Sequence, residues 1–154
     1  MKLAIGLDPG CNGAIAFIPD NNPTKAWAVK MPETLADLWD EINLNAGRIG
    51  AELFGGFTSV HCCLEKVHSM PGQGVSSSFK FGQGFGHLEM ALTAAKIPFT
   101  YVTPQKWQKE LGCLTGGDKN ISKARAAQLF PHLKITHAIA DGLLIAEYCR
   151  RTIR

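Results

Sequence analysis

The sequence predicts an α/β layer fold, a mixed β-sheet flanked by helices, on three observations. Three short apolar strands follow one another in the first thirty residues. Single apolar strands then alternate with segments of helical period as far as the C-terminus. Gly, Pro, Asn and Asp cluster at the breaks between them, as turns require. With 154 residues, 45% of them apolar and 19% charged, there is enough chain for one sizeable core. Residues 1–154 are therefore expected to form a single domain, with no internal repeat and no dividing linker.

Taken in order, Lys2–Leu7 reads as the first strand and Asp8-Pro-Gly-Cys-Asn-Gly13 as a turn of strand-breaking residues. Ala14–Ile18 and Ala26–Val29 complete a meander around the turn at 19–23. Thr34 is placed to cap a helix carrying Leu35, Leu38, Trp39 and Ile42 on one stripe. Residues 45–58 hold several glycines and suggest a short helix with a loose end. Val60–Glu65 has the composition of a buried strand, and 69–78 that of a loop poor in apolar residues. A helix with Leu88, Ala91, Leu92 and Ala95 on one side follows, then a strand at Phe99–Val102. Pro104 suits the first turn of a short helix. A loop at Leu114–Asn120, a helix from Ser122 to Phe130 stopped by Pro131, and a last helix from about His137 to Arg151 finish the chain.

Composition excludes some classes. No apolar run approaches the roughly 18 residues that a membrane-spanning helix needs. A strand-like segment directly at the start leaves no room for a signal peptide, so a cytoplasmic protein is expected. The five cysteines lack paired zinc spacing and are expected as reduced, mostly buried thiols. Net charge is only +3, but it is unevenly spread. From residue 105 onward nine Lys/Arg (106, 109, 119, 123, 125, 134, 150, 151, 154) face four acids (110, 118, 141, 147), a balance suited to a polyanion.

The chemistry is carried by three acids. Asp8 closes the apolar run Leu3–Leu7, Glu65 closes Val60–Leu64, and Asp141 lies near the start of the apolar last helix. Carboxylates in apolar segments are costly unless something pairs with them, and a divalent cation is the usual partner for several that converge. Asp8 and Glu65 at strand C-terminal ends belong to the rim where open α/β sheets bind ligands. His137 and Asp141 share one helix face, and Ala138, Ala140 and Gly142 keep that helix slim enough to approach the sheet closely. Oxygen ligands favour magnesium, with manganese able to substitute, over zinc. Two such ions about 3.5–4 Å apart suit phosphodiester hydrolysis. Lys119, in a glycine-flanked loop, is a candidate to offset transition-state charge, and His137 to bind metal, orient water or move a proton. Phe79, Phe81 and Phe85, among Lys80, Gln83 and small residues, suit either base stacking or packing against core or a second subunit.

Five motifs in order resemble the RuvC-type Holliday junction resolvases. They are Gly6-Leu-Asp-Pro-Gly10 with Gly13-Ala-Ile-Ala16, Leu64-Glu-Lys-Val67, Lys80-Phe-Gly-Gln-Gly-Phe-Gly86, Thr103-Pro-Gln-Lys-Trp107 and His137-Ala-Ile-Ala-Asp141. The likeness covers nearly the whole chain and is greatest to the compact phage and chloroplast members. It implies an RNase H-like fold, a homodimer, branched DNA as partner, and paired symmetric nicks across a four-way junction. It also implies that Asp8, Glu65 and Asp141 bind the metal ions and that Lys119 and His137 complete the active site. His68, Lys80, Phe81, Gln83, Lys106 and Lys123 are the residues expected on DNA. Two departures stand out. Ala138 occupies a place where many bacterial members carry a further acid, leaving His137 as the substitute metal ligand. His68 stands where some members carry a stacking aromatic. The alternative activity is that of another RNase H-like nuclease, acting on branched DNA or an RNA–DNA hybrid.

Overall fold

A computed structural model of the chain describes residues 2–48, 58–68, 72 and 74–152. Five strands form one mixed sheet: β1 (Lys2–Asp8), β2 (Ala14–Pro19), β3 (Trp27–Lys30), β4 (Ser59–Glu65) and β5 (Phe99–Val102). Their spatial order is β3-β2-β1-β4-β5. The first three pair antiparallel, as short turns allow, whereas β1–β4 and β4–β5 are parallel and need crossovers. Five α-helices flank the sheet among the described residues: α1 (Leu35–Asn43), α2 (Val75–Ala94), α3 (Pro104–Glu110), α4 (Lys119–Leu129) and α5 (His137–Thr152).

Strand alternation sorts the core into two layers. Leu3, Ile5, Leu7, Ile15, Phe17, Cys62 and Leu64 pack with Leu38 and Ile42 of α1 and Leu88 and Leu92 of α2. On the other face Ala4 and Cys63 meet Trp107 of α3 and Leu144, Ile145 and Tyr148 of α5. Ala16, Ile18, Phe130, Leu143 and Ala146 extend that second layer beneath β2. Asp8 and Glu65 lie in phase with Ala4 and Cys63, so both belong to the α5 side.

Helix α5 lies unusually close to the sheet. A Cβ at Gly6 would collide with the backbone nitrogen of Ala146 and the carbonyl oxygen of Gly142. One at Gly142 would come within 3.1 Å of Ala14 Cβ. The small residues at these points let the helix backbone rest directly on β1 and β2.

The expected elements are present, with shifts at their ends. Thr34 caps α1 by accepting from the Asp37 N–H at 3.1 Å. Leu35 and Trp39 are exposed, so the buried stripe is narrower than the sequence suggests. Helix α2 begins at Val75, inside the expected loop 69–78, of which 69–71 and 73 lie outside the described residues. Residues 44–48 form a wide helical turn after α1, and the rest of the glycine-rich stretch, 49–57, lies outside them too. Helix α4 starts at Lys119, three residues earlier than expected, because Asp118 caps it through the Asn120 N–H at 2.9 Å.

Candidate active site

Parallel pairing of β1 with β4 fixes the first two acids. Leu7 is in register with Leu64, so Asp8 and Glu65 follow side by side at the same rim. The tight turn after Asp8 leaves no room for a side chain at Gly13, where a Cβ would strike the Asp8 carbonyl. Gly10 adopts φ +101°, a conformation that favours glycine. Asp141 enters from α5, in the first turns of the helix that Gly6 and Gly142 hold against the sheet.

The three carboxylates feel one another. Burial first, then the charges of Glu65 and Asp141, push the Asp8 carboxyl up from 3.8 to about 8, against a smaller opposing pull from Lys119. Burial also raises Glu65, and Asp141 adds to the rise, while a hydrogen bond from Trp107 and the charge of Lys119 act downward. Asp141 Oδ1 is buried and has no hydrogen-bond partner. Buried carboxylate oxygens without donors are rare and call for an explanation, an unseen ion among them. Among the described residues, no three His, Cys, Asp or Glu side chains are already gathered tightly enough to enclose a cation. The acids are thus electrostatic neighbours whose coordination shell is not closed. An all-oxygen donor set with an orphaned buried oxygen fits a hard divalent cation.

Lys119 is exposed at the first residue of α4, close enough for its charge to reach Asp8 and Glu65. His137 opens α5, exposed, one helical turn before Asp141. Lys80 and Phe81 line a cavity of about 480 Å³ on the α1–α2 side of the sheet, shared with Gly10, Cys11, Met31 and Leu88; none of the three acids lines it. Lys106, also exposed, is near enough to bias the Cys63 thiol. His68 and Gln83 are exposed and Lys123 half-buried. No described contact joins these last three to the acids. The three phenylalanines divide their tasks: Phe81 lies against Gly10, Phe85 stacks on Tyr101 at 6.2 Å, and Phe79 stays 71% exposed.

One residue at the site is not evident from the sequence. Trp107, fully buried in α3, donates its indole N–H to Glu65 Oε1 at 2.8 Å. The available signal was general: a tryptophan in a core helix needs an acceptor for its N–H. Its partner stands 42 residues away and is set only by the fold.

No family model and no curated protein sequence matches this chain. Solved structures do. The RuvC of Thermus thermophilus in complex with a Holliday junction substrate superposes with a TM-score of 0.61 at 16% identity, covering 96% of this chain and 92% of that one. A structure of Thermus thermophilus RuvC without that description gives 0.57 at 16% identity, over 95% and 92% of the two chains. The chain has a RuvC-type fold.

Proposed function

We propose that this protein is a magnesium-dependent endonuclease that resolves four-way DNA junctions by paired symmetric nicks, with residues 1–154 acting as one nuclease domain. The observation that carries the reading is the group of Asp8, Glu65 and Asp141, on one rim under one helix. There the carboxyl of Asp8 is raised to about 8 and one oxygen of Asp141 has no partner. Structural likeness to RuvC in complex with a Holliday junction supports junction DNA as the substrate class. The excess of cations after residue 105 supports a polyanionic partner.

Asp8, Glu65 and Asp141 would hold Mg²⁺ or Mn²⁺, with His137 on the same helix face as a further ligand or proton carrier. A cation bound there supplies positive charge that relieves the crowded carboxylates and polarises water and phosphate oxygens. In-line attack of water on phosphorus builds negative charge on the non-bridging oxygens. Lys119, exposed at a helix start, offsets that charge. Lys80, Phe81 and Gln83 belong to α2, Lys106 to α3 and Lys123 to α4, and His68 follows β4; with these the protein would grip the DNA. Cutting two strands symmetrically requires two sites related by a two-fold axis, hence a homodimer.

The test is the Asp8→Asn variant. It is expected to bind a four-way junction as the parent does in a mobility-shift assay without Mg²⁺, and to leave labelled junction uncut when Mg²⁺ is added. Undiminished cleavage would remove the acids from the chemistry.

A further inference from the structure

We propose that Trp107 is a positioning residue, whose indole N–H fixes one oxygen of Glu65 so that the carboxylate meets a divalent cation in a set orientation. The inference rests on the metal-site reading of Asp8, Glu65 and Asp141 given above. The bond runs from Trp107 Nε1 to Glu65 Oε1 at 2.8 Å. Trp107 is 1% exposed and packed among Ala4, Cys63, Val102 and Leu111, so core packing sets the direction of its N–H. The carboxylate therefore follows the indole, and not the reverse. Among the described residues, this is the hydrogen bond that reaches the Glu65 carboxylate, which otherwise has three side-chain torsions in which to wander.

The rest of the helix argues for the same role. Pro104 starts α3 directly after β5, and Lys66 N–H donates to the Val102 carbonyl at 2.8 Å, tying the ends of β4 and β5 together. Next to Trp107, Gln108 Oε1 accepts from the Thr115 N–H at 3.3 Å. Arg125 Nε donates to the Leu111 carbonyl at 2.8 Å, joining α4 to the end of α3. One short helix thus holds Glu65 through Trp107 and braces, through its neighbours, the segment that delivers Lys119. Partners behind metal ligands that fix their orientation typically govern affinity and activity by about 10- to 100-fold.

Trp107→Phe keeps a buried ring and deletes the donor. Mn²⁺ binding to the full chain without DNA, read by calorimetry, is expected to weaken about 10- to 100-fold. The Mg²⁺ concentration giving half-maximal junction cleavage should rise by the same factor, with the rate recovering as Mg²⁺ is raised. A folded variant with unchanged Mn²⁺ affinity and unchanged Mg²⁺ requirement would reduce Trp107 to packing. A second measurement needs no change at Trp107. Its indole resonance, assigned in nitrogen-15 spectra by elimination with Trp27→Phe and Trp39→Phe, should shift when Mg²⁺ is added; indifference to Mg²⁺ would also overturn the proposal. If Mn²⁺ binds and Glu65→Gln abolishes binding while Trp107→Phe leaves the affinity unchanged, this inference alone fails. If the parent chain neither binds Mn²⁺ nor cuts a junction, the site reading fails with it.

Discussion

Asp8 sits in a place that penalises its own charge. Its carboxyl, raised from 3.8 to about 8, keeps a proton in the folded protein that the unfolded chain has already released between those values. The stability this group contributes is complete below about pH 4 and is lost as pH climbs through 8. Without a divalent cation, Asp8→Asn should therefore melt higher than the parent at pH 8, by about 2–4 °C for each kcal/mol relieved, and alike at pH 4. Calorimetric melting at the two pH values measures this; an equal gain at both would assign the effect to something other than the charge. The same argument predicts that Mg²⁺ raises the melting temperature more at pH 8 than at pH 6, because at the lower pH it must first displace the Asp8 proton. At this scale the acids were legible in the sequence because each interrupts an apolar run. Trp107 was not, because no spacing within Thr103–Trp107 says which acceptor its N–H meets across the sheet.

Among the elements, α5 does most to assemble the site, since it alone carries Asp141 to the rim shared by Asp8 and Glu65. Its seat depends on the absence of a side chain at Gly6, where a Cβ would overlap the backbone of Gly142 and Ala146. Gly6→Ala must push the helix outward, because the obstacle is backbone and not a flexible side chain. A loss of about 3 kcal/mol in urea unfolding is expected, at the upper end of overpacking costs, together with weaker Mn²⁺ binding. A variant as stable as the parent would show that the helix has room to spare. The strands and most helices could be read from period and turn residues, whereas two helix starts could not. Lys119 seemed a loop residue because Gly116 and Gly117 precede it, yet Asp118 caps a helix there. Val75 and its serines look like loop in composition, yet α2 extends through them, its later turns anchored by Leu88, Ala91 and Leu92. Tertiary anchoring outweighs local preference in α2, whereas a local cap decides the start of α4.

For the molecule as a whole, the two faces of the sheet carry different loads. One buries α1 and the anchored half of α2; the other seats α3, α4 and α5 and the acids. The outer side of α2 leaves Val75 88%, Phe79 71% and Met90 62% exposed, at spacings of four and eleven that share one helix side. A homodimer that covers this side predicts a dimeric mass by light scattering and a shift toward monomer for Phe79→Glu. Paired cuts would then give way to single nicks, whereas a monomeric parent would remove the two-fold arrangement. Among the described residues no helix is long and apolar enough to cross a membrane. The fold class was legible because the motifs fall in order on its strand ends and helices, but the different surroundings of Phe79, Phe81 and Phe85 were not, since the three look alike in sequence and differ only in place.

The most direct measurement is cleavage of an end-labelled synthetic four-way junction beside matched duplex, fork and RNA–DNA hybrid, with and without Mg²⁺. Symmetric paired nicks near the branch point, dependent on Mg²⁺ and strongest in the junction, are the predicted result. Equal or better cutting of the hybrid or fork would contradict junction resolution and leave a nuclease of different substrate on the same fold.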